Sequence, residues 1–562
     1  MKKFVVVVIL LILAGFLIRA LIPSGNHASG NNTTAYKPGP NDVEVVFTYG
    51  SEKEEWIKAA TDEFNSGNHK TSDGKNIHVS AYPMGSGDCI DELLAGTRQA
   101  DITSPASAAF ITLGNAQSKT KTGKDLIGPT QNLVLSPVVI AMWKPMAQAI
   151  GWGKKPIGWA DILSLARNRQ GWSSYGHPEW GSFKFGHTHP EFSNSGLISI
   201  MAEVYAARKV KSGLTLADVD DPKTSTFVSD IEKSVVHYGS STGFFGKKMF
   251  DNGPQYLSAA VLYESMVSAA NNDPSKLPLP VVAIYPKEGT FWSDHPIGIV
   301  QREWVTDEHK DAAKQYIAFL LSHDQQEKAM TLGFRPADVS ISLASPIDVA
   351  HGVDPKEPKT TLQLPSAQVI NEILKTWHRQ KKHSNAVLVL DCSGSMQNEN
   401  KLVEAKAGAE GLLSMLGAED CISVLPFSDN MNWIVQNARI GKDKKMISDH
   451  IEGLFPEGGT RLYDSIQEAF RFLQNKPNPG RISAIIVLTD GDDTASRMTY
   501  KDLIAEVKSD NERKNVRIFT IGYGSEANKD VLKGIADATQ AKYYDGTPEN
   551  IREVFKDIST FF

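Results

Sequence analysis

The chain has 562 residues, a formal net charge of -6 at pH 7 and a pI near 6.2. This length exceeds what one hydrophobic core normally serves, so it predicts about three or four domains or lobes. The mild acidity gives no electrostatic reason to expect nucleic acid, and no nucleic-acid partner is predicted.

The chain begins with a basic and then strongly apolar segment. Met1-Lys2-Lys3 precedes an apolar run over residues 4–22, in which Arg19 is the only charge. About twenty apolar residues are needed to cross a bilayer, so residues 1–22 are predicted to be an uncleaved signal anchor in the cell membrane. The folded part would then lie on the extracytoplasmic side. The alternative is a signal peptide that is cleaved near Ala28, which would give a secreted or periplasmic protein.

A polar linker over residues 23–42 separates this segment from the first folded part. After it, residues 43–50 and 77–82 have strand patterns. Residues 54–64 between them form an amphipathic helical pattern. Because strands and helices alternate, an α/β fold is expected here.

Several stretches of this part carry a family resemblance. They are Tyr82-Pro-Met-Gly-Ser-Gly, Gly96-Thr-Arg-Gln-Ala-Asp-Ile-Thr-Ser, Ser193-Asn-Ser-Gly-Leu and the helical pattern over residues 313–336. In their order and spacing, residues 43–345 resemble the solute-binding proteins of bacterial uptake systems. The resemblance implies an extracellular, bilobed, periplasmic-binding-protein-like module. It also implies a small-molecule or anionic solute in the cleft between the two α/β lobes.

Serines and glycines precede two of the predicted helices. Helix N-termini present unpaired N–H groups and a partial positive charge, which suits an anion or a carboxylate. Simple N-capping by the serines is the alternative. The candidate solute-binding residues are Ser51, Ser86, Gly87, Ser104, Ser193, Ser195 and Gly196.

A histidine-containing loop over residues 186–191 is a further candidate for metal binding. His187 and His189 lie in this loop, and His177 and His295 are possible additional ligands. Closely spaced histidines in a Gly/Pro loop are more often ordinary loop residues, and no thiolate ligand accompanies them.

Residues 346–383 are predicted to be a linker followed by a connecting helix. Residues 346–364 are rich in Pro, Asp and Lys and have no apolar period, which marks a boundary. Ser366 is a candidate N-cap for the helix, which has Ile370, Ile373 and Trp377 on one face.

The last segment, 384–562, contains two continuous apolar runs that each end in an aspartate. Such runs are typical of strands buried on both faces of a parallel sheet. Ligands bind at the carboxyl ends of such strands. The candidate metal ligands are Asp391, Ser393, Ser395, Thr460 and Asp490. All five are hard oxygen donors, which favours Mg²⁺, or Mn²⁺ or Ca²⁺, over zinc.

The pattern Asp-x-Ser-x-Ser, followed by a Thr and a second Asp, resembles the metal-ion-dependent adhesion site of von Willebrand factor type A domains. Asp391, Ser393, Ser395, Thr460 and Asp490 fill all five positions. The resemblance implies a doubly wound, Rossmann-like α/β domain over residues 384–562. It also implies a protein partner that presents an acidic side chain to the metal.

An enzyme is not predicted. A phosphatase of the haloacid dehalogenase type also places an aspartate after its first strand. It needs a second acid two residues later, where Ser393 stands instead. The sequence therefore predicts an exported, membrane-tethered binding protein whose last domain binds a protein through Mg²⁺. The alternative is a substrate-capture receptor of an ABC-type uptake system that uses this domain for docking.

Overall fold

Three β-sheets organise the chain. The computed structural model describes residues 36–475, 480–508 and 516–561. Residues from Pro38 onward form one compact unit that contains all three sheets. The predicted membrane anchor over residues 1–22 lies outside the described residues. Within the described residues, no helix is both long enough and apolar enough to span a membrane.

The first lobe alternates strands and helices, as its pattern predicts. Its elements are β1 (Asp42–Gly50), α1 (Glu54–Ser66), β2 (Asn76–Met84), α2 (Ser86–Ala95), β3 (Ile102–Ser104), α3 (Ala108–Thr122) and β4 (Ile127–Asn132). A later segment of the chain adds a fifth strand to the sheet of this lobe. One core joins Phe47 of β1 to Trp56 and Phe64, which lie on the predicted apolar face of α1.

The second lobe follows β4 directly. Its elements are β5 (Val134–Trp143), α4 (Lys144–Ala149), α5 (Trp159–Arg167), β6 (Phe185–Gly186), α6 (Asn194–Arg208), α7 (Leu216–Val219), α8 (Pro222–Glu232), α9 (Thr242–Asn252), β7 (Ala259–Tyr263), α10 (Glu264–Ala270), β8 (Val281–Ile284) and β9 (Trp292–Ser293). The chain continues with β10 (Pro296–Val300), α11 (Asp307–Leu320), α12 (His323–Thr331) and β11 (Arg335–Pro336).

The sheet topology explains how the two lobes are joined. The first sheet has the order β2-β1-β3-β10-β4. The second has the order β11-β5-β7-β6, with β8 and β9 also paired to β5. The chain therefore crosses between the lobes three times: from β4 to β5, from β9 to β10 and again before β11. The first two crossings lie side by side, because the Leu133 N–H donates to the His295 carbonyl at 3.1 Å.

The connecting helix α13 (Ala367–Gln380) leads to the last domain. The elements of this domain are β12 (Ser384–Asp391), α14 (Lys401–Met415), β13 (Cys421–Phe427), β14 (Val435–Arg439), α15 (Ile440–Glu452), α16 (Leu462–Asn475), β15 (Ile482–Thr489), α17 (Tyr500–Val507), β16 (Val516–Tyr523), α18 (Lys529–Ala538), β17 (Tyr543–Gly546) and α19 (Ile551–Ser559). Short 3-10 helices cover Ser51–Lys53, Gly171–Tyr175, Pro178–Trp180, Pro274–Lys276, Val349–His351 and Gly394–Asn400.

The third sheet has the order β14-β13-β12-β15-β16-β17, and only β14 is antiparallel to its neighbour. Successive residues of the central strand β12 face opposite cores. Val387 and Val389 pack on the side of α16, whereas Leu388 and Leu390 pack with Leu402 of α14. Both faces of β12 are buried, which is why its sequence is continuously apolar.

The connecting helix α13 packs on the second lobe. Ser366 is its N-cap and accepts a hydrogen bond from the Val369 N–H at 3.4 Å. Trp377 is buried, and its indole N–H donates to Glu232 of α8 at 3.1 Å. This link to the last domain is therefore fixed to the second lobe.

The last helix also brings its domain into contact with both lobes. Lys556 of α19 pairs with Asp88 of the first lobe at 2.7 Å. Its ammonium also lies 5.5 Å from the centre of the Phe192 ring in the second lobe. Burial raises the pKa of Asp88 to about 6, although the Lys556 charge opposes this shift. One lysine thus contacts the two sides of the cleft.

Candidate metal centre and solute cleft

Two aspartates meet at one edge of the third sheet. Leu390 of β12 pairs with Leu488 of the neighbouring parallel strand β15. Asp391 ends β12, and Asp490 directly follows β15. Both carboxylates are fully buried. Two neighbouring parallel strands therefore place two carboxylates at the same edge of the sheet.

Hydroxyl groups connect these carboxylates. The Ser395 hydroxyl donates to Asp490 Oδ1 at 2.7 Å and lies 3.0 Å from the Ser393 hydroxyl. The Ser393 backbone N–H donates to Asp391 Oδ1 at 2.7 Å. Four of the five candidate metal ligands are thus joined by direct hydrogen bonds.

Thr460, the fifth candidate, lies on a loop that contacts the serine-containing turn. The Gly394 N–H donates to the Gly458 carbonyl at 3.0 Å. Gly458 has φ of +68°, and a Cβ there would lie 2.3 Å from Asp429 Oδ2, so this turn requires glycine. The Thr460 N–H and carbonyl are both bonded to Thr494, at 2.9 and 2.8 Å.

Sequence reasoning missed two residues of this centre. Thr489 donates its hydroxyl to Asp391 Oδ2 at 2.6 Å. Lys401, the first residue of α14, is buried and donates to Asp490 Oδ2 at 2.8 Å. A lysine that opens a helix just after the serine motif was the available signal for Lys401, because that helix begins at the same sheet edge.

Burial sets the electrostatics of the centre. It raises the pKa of Asp391 to about 6, and the nearby Asp490 charge acts in the same direction. When both aspartates are ionised, one lysine leaves a buried net charge of about -1. Carboxylate and hydroxyl oxygens together with this charge fit a hard divalent cation such as Mg²⁺.

The predicted solute-binding residues lie where the two lobes touch. The Gly87 N–H, at the start of α2, donates to the Phe192 carbonyl of the second lobe at 2.9 Å. A Cβ at Gly87 would lie 2.0 Å from the Glu191 carbonyl oxygen. The lobes are therefore in close backbone contact at this end of the cleft, which only glycine allows.

Ser86, Ser193 and Ser195 bond within their own lobes rather than cap their helices. The Ser86 hydroxyl accepts from the Ala106 N–H at 2.9 Å. Ser193 is the N-cap of α6, but its hydroxyl lies 3.0 Å from Thr242 Oγ1 and makes no capping hydrogen bond. Ser195 lies 2.8 Å from Thr188 Oγ1, which also accepts from the Gly196 N–H at 2.8 Å.

A buried charged group, also missed from the sequence, lies beside the crossings between the lobes. Lys53 donates to Glu52 Oε1 at 2.6 Å and lies 3.2 Å from His295 Nδ1. Burial and the Lys53 charge lower the pKa of His295 to about 4. Although burial opposes it, the Lys53 and His295 contacts hold the pKa of Glu52 at about 2.

Unpaired polar atoms accumulate around this group. Asn194 donates to the Tyr263 hydroxyl at 3.1 Å and to Ser293 Oγ at 2.9 Å, and the rings of Tyr263 and His295 are 5.6 Å apart. Four buried atoms here have no hydrogen-bond partner among the described residues: Ser51 Oγ, Ser104 Oγ, Asn194 Oδ1 and His295 Nε2. Because buried polar atoms are nearly always paired, this part of the cleft fits a polar ligand.

The four histidines of the candidate metal site do not come together. His177 stacks on Trp180 with ring centres 3.7 Å apart, and His295 belongs to the charged group between the lobes. The His189 ring packs against Phe192 in a tilted arrangement and against Trp377 edge-on. These three histidines therefore have other partners. His187 faces Glu232 instead, with 2.8 Å between Nε2 and Oε1.

A family model described as bacterial extracellular solute-binding protein matches residues 45–335, just over half of the chain. The chain belongs to this family. A second model, the von Willebrand factor type A (VWA) domain, matches residues 385–557. This solute-binding protein therefore carries a VWA domain, and both parts are binding modules.

Individual relatives cover only parts of the chain. Human inter-alpha-trypsin inhibitor heavy chain H2 is 28% identical over 191 residues, which are 31% of this chain and 20% of that protein. The uncharacterized protein sll0103 of Synechocystis sp. is 31% identical over 186 residues, which are 32% of this chain and 42% of that protein. The chain thus spans less than half the length of these relatives.

Among solved structures, the periplasmic binding protein P5PA is similar to the solute-binding part. It is 14% identical, covers 60% of this chain and 99% of its own, and has a TM-score of 0.42.

The backbone contact at Gly87 can be tested by Gly87→Ala. Its methyl group would collide with the Glu191 carbonyl, so we expect the lobes to separate and the stability to fall by about 1–3 kcal/mol. Small-angle X-ray scattering should show a larger radius of gyration. Gly411→Ala on α14 is the control, because its Cβ would meet no atom within 4 Å. An unchanged radius and melting temperature for Gly87→Ala would contradict the contact.

Proposed function

We propose that this protein is a non-enzymatic, extracytoplasmic binding protein whose VWA domain binds a protein partner through a divalent metal ion. Asp391, Ser393, Ser395, Thr460 and Asp490 would hold the ion. The main support is the pair of buried carboxylates at one sheet edge, joined through serine hydroxyls. Mg²⁺ is the expected ion, with Mn²⁺ or Ca²⁺ as alternatives.

The charge of the centre supports an acidic partner. Asp391 and Asp490 contribute two negative charges, and Lys401 offsets one of them. A divalent ion bound there would keep a net positive charge of about one and supply an electrostatic attraction for a partner carboxylate. Lys401 thus tunes how much of that attraction remains for the partner.

We further propose module boundaries at residues 43–345 for the solute-binding part, 346–383 for the linker and connecting helix, and 384–562 for the VWA domain. The apolar run over residues 4–22 supports tethering of the chain to the cell membrane by residues 1–22.

A melting experiment tests the metal site. A ligand that binds only the native state stabilises it by RT ln(1 + [L]/Kd), about 2.7 kcal/mol at one hundred times Kd. We expect Mg²⁺ or Mn²⁺ to raise the melting temperature of the wild type above its value in EDTA. Asp391→Ala should abolish this shift, whereas Asp449→Ala on an exposed helix face should retain it. Equal shifts in wild type and Asp391→Ala would refute the proposed site.

Lys401→Met tests the charge argument. The substitution leaves Asp490 buried without its lysine, so we expect lower stability in EDTA, by about 3–5 kcal/mol, and a larger Mg²⁺-induced shift than in wild type. Binding of a carboxylate partner should weaken, because more of the ion's charge is neutralised. Calorimetric melts with and without Mg²⁺ measure the first effect. A smaller Mg²⁺ shift than in wild type would contradict the assigned role.

The second candidate function is capture of a small solute for an ABC-type uptake system, with the VWA domain used for docking. The four unpaired buried atoms between the lobes favour it. Native mass spectrometry of the purified chain should then detect a retained small molecule in the wild type and not in Gly87→Ala. Identical spectra with no retained molecule would remove the support for this function.

A further inference from the structure

A second group of potential metal ligands lies inside the second lobe. His187 follows β6, Glu203 lies within α6 and Glu232 ends α8. All three side chains are fully buried. One ligand atom from each lies within 4.8 Å of the other two. Three separate elements thus bring an imidazole and two carboxylates together inside the protein.

The orientation of the imidazole is fixed by a backbone contact. His187 Nδ1 lies 2.7 Å from the Thr188 carbonyl, so this nitrogen carries the proton and donates it. Its other nitrogen, Nε2, then turns a lone pair towards Glu232 Oε1 at 2.8 Å. At this distance the two groups share a proton, which they release when a metal ion binds both of them. Metal-binding histidines commonly donate their other N–H to a carbonyl in this way.

The second carboxylate lacks a partner for one oxygen. Glu203 Oε1 accepts from the Ser199 hydroxyl at 3.0 Å. Glu203 Oε2 is fully buried and has no hydrogen-bond partner among the described residues. An unpaired buried carboxylate oxygen is costly, so this atom takes up either a proton or a metal ion.

Outer hydrogen bonds hold the Glu232 carboxylate in place. Its Oε2 accepts from the Tyr238 hydroxyl at 2.7 Å and from the Trp377 indole N–H at 3.1 Å. Trp377 belongs to α13, which connects the lobe to the VWA domain. These contacts leave Oε1 directed at His187, as expected of a ligand supported by its surroundings.

We propose that His187 Nε2, Glu203 Oε2 and Glu232 Oε1 bind one Zn²⁺ ion. The imidazole nitrogen distinguishes this set from the oxygen donors at Asp391, because nitrogen ligands favour zinc over magnesium. The ion balances the two buried carboxylates. It also joins α6 and α8 beneath the connecting helix, so binding is coupled to folding of the second lobe.

Metal content of the full chain tests this proposal. The protein is unfolded in EDTA, refolded with Zn²⁺ or Co²⁺ and desalted, in the Asp391→Ala background so that the other site does not contribute. We expect elemental analysis to find about one Zn²⁺ per chain. With Co²⁺ we expect visible d–d absorption, which should disappear when added Zn²⁺ displaces the Co²⁺. Glu203→Gln should reduce Zn²⁺ retention at least tenfold. Glu55→Gln, on the exposed face of α1, is the matched control and should leave it unchanged.

The Co²⁺ spectrum of the parent protein, which carries only Asp391→Ala, tests the site even if Glu203→Gln fails to fold. Absence of both Co²⁺ absorption and retained Zn²⁺ in the parent would overturn the proposal and show that protons alone balance the cluster. Unchanged Zn²⁺ retention in folded Glu203→Gln, verified by circular dichroism, would also overturn it, because the ion would then lie elsewhere.

Discussion

The candidate metal centre depends on one constraint, which is that the central strand β12 is buried on both faces and ends in a carboxylate. Removing Asp391 and Asp490 from water is unfavourable, so the surrounding chain has to offset their charges. Lys401, two serine hydroxyls and the Thr489 hydroxyl do this in part. The remaining negative charge makes the edge of the sheet a place for a cation rather than an ordinary strand end.

Much of this arrangement was predictable, because it follows from the apolar pattern of the strands and from their parallel order in the sheet. Continuous apolar runs identified β12 and β15, and parallel neighbours bring their carboxyl ends together. Lys401 was not predicted, since a lysine at a helix start usually faces solvent. The group formed by Lys53 and His295 was also not predictable, because these residues are 242 positions apart and meet only when the lobes fold together.

The solute cleft shows why helix N-termini alone are insufficient to identify a ligand. The sequence correctly indicated small residues before α2 and α6, but protein groups already accept the N–H of Gly87 and Gly196. The polar atoms that lack partners lie nearby, on Asn194 and His295 among others. Which polar atoms stay unpaired depends on contacts across the cleft. The hydrophobic periodicity of the sequence contains no information about those contacts.

Lys556 contacts Asp88 in one lobe and Phe192 in the other, so the lobes cannot separate there without breaking a contact of the VWA domain. Thermodynamic linkage makes this relation reciprocal. If the docked domain stabilises the closed cleft by a given free energy, opening of the cleft costs that free energy in addition. About 1.4 kcal/mol would reduce the open population tenfold. The Lys556 contacts therefore couple separation of the two lobes to the docking of the VWA domain.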